Sequence, residues 1–79
     1  MERSVIAVYG AFLNREAGGE ERLITTGNAL MCGEKVIAEW REDMIVLPRI
    51  DAPTKKMTRN RNGITTLAKQ RGIRVVEER

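Results

Sequence analysis

The region 22–47 contains apolar runs separated by two-residue breaks, and this spacing restricts the possible folds more than any other feature of the chain. Runs of this length, rich in β-branched residues and bounded by turn residues, are typical of strands joined in hairpins. The predicted strands are Arg22 to Cys32, Lys35 to Arg41 and Met44 to Leu47. Glycine in the first position of Gly33-Glu34 suits a type II′ turn. Pro48 ends the last strand because it cannot donate a ladder hydrogen bond.

The two breaks also predict a register. Gly33-Glu34 pairs Cys32 with Lys35, and Glu42-Asp43 pairs Arg41 with Met44. Continued along the strands, this register places Gly27 opposite Trp40. It also places several apolar side chains on one face of the sheet: Ala29, Met31, Val36, Ala38, Trp40, Ile45 and Leu47. A slip of one residue would turn these side chains to the opposite face.

The flanking segments complete the predicted architecture. Arg3 to Asn14 is rich in β-branched and aromatic residues, which favours a strand, and Arg15 to Glu21 is predicted as a solvated loop. Arg59 to Arg71 is predicted as a helix, and Arg74 to Glu77 as a short final strand. The sequence therefore predicts one α+β domain over residues 1–79. It consists of a small antiparallel sheet in β-β-β-β-α-β order, with the single C-terminal helix packed on one face.

The predicted helix has recognisable ends and two different sides. Thr58 is the expected N-cap, and Gly72 followed by Ile73 predicts a Schellman C-terminus. One side carries Ile64, Leu67 and Ala68, with Met57 just before the helix. Asn60 and Arg71 fall within this apolar stripe at its two ends, where we expect them to reach water. Arg61 borders the stripe, and the opposite side is polar, with Arg59, Asn62, Thr66, Lys69 and Gln70.

Charge is distributed unevenly along the chain. Residues 1–43 hold five basic and eight acidic side chains, whereas residues 44–79 hold nine basic and three acidic ones. Such asymmetry indicates an anionic partner, either nucleic acid or an acidic protein surface. The direct partner contacts are predicted to be Arg59, Asn62, Lys69 and Gln70. Long-range attraction is predicted to come from Lys55, Lys56 and Arg61.

Several chemistries lack the residues they need. The chain has no histidine, which excludes Ser-His and Cys-His catalysis and the usual zinc ligand sets. Cys32 is interpreted as a small core residue. Three carboxylate pairs are neighbours in turns or tails and are interpreted as solvated charges: Glu20-Glu21, Glu42-Asp43 and Glu77-Glu78. We therefore expect no enzyme, no cofactor and no metal site.

Composition also bears on location and on the type of partner. A single cysteine cannot form an internal disulfide, which fits a reducing, cytoplasmic setting. The longest apolar stretch, Val5 to Leu13, is much shorter than the roughly 20 residues of a transmembrane helix. It is interpreted as a strand and not as a signal peptide, and no membrane partner is expected. Only Tyr9, Phe12 and Trp40 could stack on bases, which disfavours single-strand binding.

About half of the chain resembles short phage and prophage accessory proteins, which combine a small meander, a threonine-capped basic helix and a short final strand. The residues that carry this resemblance are Trp40, Ile45, Leu47, Pro53-Thr54, Met57-Thr58-Arg59, Arg61 and Gly72-Ile73. The resemblance implies a mobile-element origin and a protein that binds host machinery, including defence complexes. It implies no role for any particular residue.

These observations support one leading hypothesis and several alternatives. The leading hypothesis is a non-enzymatic phage-type accessory protein that binds a host or defence nucleoprotein machine in the host cytoplasm, with inhibition as one outcome. The first alternative is direct binding of duplex DNA or RNA by the basic helix. The second is a structural module that oligomerises through an open sheet edge. A small enzyme is the weakest alternative, and the oligomeric state is left open.

Overall fold

Six strands form one open sheet, and both helices lie on the same face of it. The computed structural model describes the backbone of residues 3–78 and the side chains of residues 5–78. The elements in chain order are α1 (Arg3–Leu13), β1 (Ala17–Glu20), β2 (Leu23–Thr26), β3 (Ala29–Cys32), β4 (Lys35–Arg41), β5 (Met44–Leu47), α2 (Lys55–Gln70) and β6 (Val75–Glu77). The sheet order follows the chain, and only the β5–β6 pair is parallel. The predicted α+β class, with a C-terminal helix packed on a small and mostly antiparallel sheet, is confirmed.

The prediction of a strand over Arg3 to Asn14 is wrong, because this segment forms helix α1. Its buried side chains are Val8, Tyr9, Phe12 and Leu13, with Val5 packed against the same core. These positions recur at the three- and four-residue spacing of one helix face. Packing of that face on the sheet and on α2 outweighs the β-propensity of the individual residues.

Two further boundaries in the first half of the chain are corrected. The expected loop over Arg15 to Glu21 contains strand β1, which pairs with β2. The expected single strand over Arg22 to Cys32 is a hairpin, because the chain turns at Gly27-Asn28 between β2 and β3. Gly27 has a φ of 98°, and a Cβ built there would lie 2.8 Å from the Arg15 carbonyl oxygen. Only glycine satisfies both conditions, so Gly27 makes this turn and is not paired with Trp40.

The two predicted hairpin closures are confirmed, since Cys32 pairs with Lys35 and Arg41 with Met44. The predicted face is only partly right, because a bulge between Leu30 and Met31 shifts the register. Leu30 and not Ala29 lies opposite Ala38. The bulge buries Leu30, Cys32 and Ile37 together with the predicted Ala38, Trp40, Ile45 and Leu47. It leaves Ala29, Met31 and Val36 half-buried on the other face.

That other face of the sheet is not covered by either helix. Ile24 of β2 pairs with Met31 of β3, which pairs with Val36 of β4, so the three side chains form a row across the face. Ile24 is 45% exposed and the other two are half-buried. The helix-free face is therefore partly apolar, while the charged α2 lies on the opposite side of the sheet.

Helix α2 begins one turn earlier than predicted. Thr54, not Thr58, is the N-cap, and its hydroxyl accepts a hydrogen bond from the Met57 amide at 3.1 Å. Pro53 precedes the cap, so Lys55 and Lys56 belong to the first turn. The predicted C-terminus is confirmed. The Ile73 amide donates to Ala68 O at 2.9 Å, the Gly72 amide donates to Lys69 O at 3.0 Å, and Gly72 has a φ of 74°.

No helix in the described part of the chain is long and apolar enough to cross a membrane.

Candidate functional site

One side of α2 faces away from the sheet and is wholly polar. The outward α2 surface comprises Lys55, Arg59, Asn62, Thr66, Lys69 and Gln70, and all six residues are exposed. At 3.6 residues per turn, these positions fall within an arc of about 100°. Four of the predicted partner contacts, Arg59, Asn62, Lys69 and Gln70, therefore share one surface. Arg59 and Lys69 lie about 15 Å apart along the helix axis.

The orientation of α2 is fixed by the residues beneath it. Ile64 and Ala68 have no exposed surface and belong to the same core as Phe12, Leu30 and Ile37. Rotation of the helix about its axis would bring these aliphatic groups into water and bury lysine and arginine side chains. The polar side is consequently held outward by the packing of the apolar side.

A buried hydrogen bond joins α1 to α2. The Tyr9 hydroxyl donates to Asn60 Oδ1 at 2.6 Å, and Asn60 Nδ2 lies 3.8 Å from Cys32 Sγ. Asn60 is only 5% exposed, so the expectation that it reaches water is wrong. The earlier start of α2 places Asn60 in the second turn instead of at the end. Gly63 allows the approach, since a Cβ there would lie 2.8 Å from Tyr9 Cε2.

The environment of Tyr9 favours its protonated form. Burial raises the pKa of the Tyr9 phenol above its usual value, and the nearby Cys32 thiol raises this pKa further. Arg59 acts in the opposite direction by favouring the phenolate. Because the neutral phenol holds the proton that Asn60 accepts, the interhelical hydrogen bond persists at neutral pH.

The cations of the outward α2 surface have no carboxylate partner among the described residues. Within that part of the chain, the ion pairs shorter than 4.0 Å involve only the guanidinium groups of Arg41, Arg49 and Arg61. Arg61 differs from the other predicted contacts, because its side chain is 13% exposed and lies 3.7 Å from Glu77. Glu77 offsets part of the attraction predicted for Arg61. Lys55, Lys56, Arg59 and Lys69 keep their charge available to a partner.

A groove of about 850 Å³ opens beside the first turns of α2. Its cationic wall consists of Lys55, Lys56 and Arg59 at the start of α2, and its acidic wall consists of Glu20 and Glu21 at the β1–β2 turn. We call this feature the charged groove. Its cationic wall continues into the outward α2 surface through Lys55 and Arg59.

The floor of the charged groove is formed by Tyr9 and Asn60, with the aliphatic side chains of Val5 and Leu23 beside them. None of the floor residues, and neither of the two glutamates, was predicted as part of a site. One signal was present in the sequence, because Asn60 interrupts an apolar stripe of the helix. The glutamates could not be placed, since their position depends on strand β1, which was predicted as a loop.

The remaining candidate groups are placed in the core. Tyr9, Phe12 and Trp40 are all buried, so no aromatic side chain is available for stacking on bases. The Trp40 indole donates to the Phe12 carbonyl oxygen at 2.8 Å, and the Arg15 guanidinium lies 4.2 Å from its ring centroid. Cys32 is a buried free cysteine, as predicted.

Comparison with models of protein families, with curated proteins and with solved structures found no match.

Proposed function

We propose that this chain is a non-enzymatic accessory protein of phage type. It binds a host or defence nucleoprotein machine through the outward α2 surface, and it acts by occupying its binding site on that machine. The supporting observation concerns the exposure and the ion pairing of the cations on that surface. Its cations are exposed and have no carboxylate partner among the described residues, while the other side of α2 is locked into the core. A fixed surface of one charge sign attracts an anionic partner and orients its approach.

The second candidate is direct binding of a duplex. It is favoured by Asn62, Thr66 and Gln70, which follow one another at four-residue intervals along the outward surface. Side chains of this type hydrogen-bond to phosphates and base edges, and Arg59 and Lys69 lie on the same surface. Burial of all three aromatic residues disfavours single strands as the ligand.

Affinity capture from host lysate, with and without nuclease treatment, tests both candidates. The informative variant is R59Q/K69Q, which removes two charges from the outward α2 surface. The matched control is K35Q/R49Q, which removes two exposed charges elsewhere. We expect the wild type and the control to capture a stoichiometric protein that R59Q/K69Q does not capture, with nuclease having no effect.

The two candidates give different results in this experiment. A partner that disappears after nuclease treatment would support duplex binding. In that case, the affinity for a labelled duplex should fall by about 0.9 log units per log unit of salt for each phosphate neutralised. Absence of a stoichiometric partner, combined with a flat salt response, would contradict both candidates. Equal loss of partner capture in K35Q/R49Q and R59Q/K69Q would show that net charge, and not the outward α2 surface, determines binding.

A further inference from the structure

The charged groove has walls of opposite sign that do not neutralise each other. Among the described residues, no ion pair shorter than 4.0 Å joins Glu20 or Glu21 to the lysines and arginine of the cationic wall. Both sets of charges line one groove of about 850 Å³. A complementary ligand therefore presents an anion to α2 and a cation to the β1–β2 turn.

The floor restricts the ligand further. Leu23 and Tyr9 are buried but line the groove, and the half-buried Val5 lies beside them. The apolar part of this floor accommodates aliphatic groups. A phosphate chain does not fit these features, because it offers no cation to the glutamates and would be repelled by them.

We propose that the charged groove binds an extended peptide segment in which an acidic and a basic residue are adjacent. Consecutive side chains of an extended chain point in opposite directions, so such a pair reaches both walls at once. The acidic side chain contacts Lys55 and Arg59, and the basic one contacts Glu20 and Glu21. The inference rests on the proposed function in one respect, since the segment belongs to the protein that docks on the outward α2 surface.

Nitrogen-15 NMR titrations of the whole chain test the proposal directly. The probes are acetyl-Ala-Asp-Lys-Ala-amide and its Lys-Asp isomer, with the Asp-Asp and Lys-Lys peptides as controls. Exposed ion pairs contribute little individually, so we expect saturable shifts at groove residues with a dissociation constant of about 1 mM. Each control peptide should bind about fivefold more weakly than the better mixed peptide, because it satisfies only one wall.

Variants separate this proposal from the proposed function. E20Q/E21Q and K55Q/R59Q should each weaken the better mixed peptide about fivefold. N62A/K69Q changes only residues outside the groove, so it should leave peptide binding intact while reducing partner capture. If the Asp-Asp peptide binds as tightly as the mixed peptides, or no peptide gives saturable shifts, the proposal is overturned. Partner capture by E20Q/E21Q at the wild-type level would then leave the proposed function standing.

Discussion

Substitution of Gly63 by alanine should lower the stability of the protein according to the structure, whereas helix propensity alone predicts that it raises the stability. Propensity predicts that alanine stabilises an interior helical position by about 1 kcal/mol relative to glycine. In the structure, however, the added methyl group would lie 2.8 Å from Cε2 and 2.9 Å from the hydroxyl oxygen of Tyr9. The Tyr9 ring is almost fully buried and bonded to Asn60, so it cannot move without disturbing the core.

The expected magnitude follows from these contacts. Overpacking of a core costs about 1–3 kcal/mol, and a displaced ring also weakens a buried hydrogen bond worth about 1 kcal/mol. After the gain in propensity is subtracted, G63A should be less stable than the wild type by roughly 1–3 kcal/mol. For a chain of this size, each kcal/mol lowers the melting temperature by about 4–8 °C.

Urea and thermal unfolding followed by circular dichroism measure this difference. Gly10 provides the matched control, since it also lies inside a helix but a Cβ there would meet no atom within 4 Å. We expect G10A to gain about 0.5–1 kcal/mol while G63A loses stability. If G63A is as stable as the wild type or more stable, the close contact between α1 and α2 is wrong.

Three other predictions concern elements that position the site. T54A should lose about 1 kcal/mol of stability in urea unfolding, because the hydroxyl of Thr54 caps α2, whereas T58A should change little; equal losses would contradict the assignment of the cap. G27A should lose more than about 1 kcal/mol in the same assay, because alanine tolerates neither the positive φ nor the 2.8 Å contact at that turn, and an unchanged midpoint would argue against the turn. The raised pKa of Tyr9 means that the folded state holds the phenolic proton more tightly than the unfolded chain does. The stabilisation that the folded state gains from this proton is complete below about pH 10 and is lost as the pH rises through the folded-state pKa. Y9F should therefore be less stable than the wild type at neutral pH, with a gap that narrows above about pH 10, and a gap independent of pH would contradict the raised pKa.

The sequence was sufficient where local signals act alone. Two-residue breaks set the closing pairs of both predicted hairpins, and Gly72 followed by Ile73 marked the end of α2. The outward side of α2 was also predictable, because it depends on helical periodicity and on aliphatic residues such as Ile64 that must be buried. These features need no knowledge of distant parts of the chain.

Other features depend on tertiary packing. The β-branched and aromatic residues of α1 favour a strand individually, and only the spacing of Val8, Tyr9 and Phe12 indicated a helix. The bulge in β3–β4 could not be predicted, since it arises because Ile37 and Trp40 must both face the core. Asn60 was misplaced because Thr58 was predicted as the N-cap, whereas the helix is capped one turn earlier by Thr54.

Site-specific photocrosslinking in host extract tests the binding surface most directly. A benzophenone amino acid at Asn62 probes the outward α2 surface, and the same group at Ile24 probes the helix-free face of the sheet, a partly apolar surface on which a rival partner could bind. We expect a discrete adduct from position 62 and none from position 24. An adduct from position 24 alone, or identical products from both positions, would contradict the assignment of partner binding to α2.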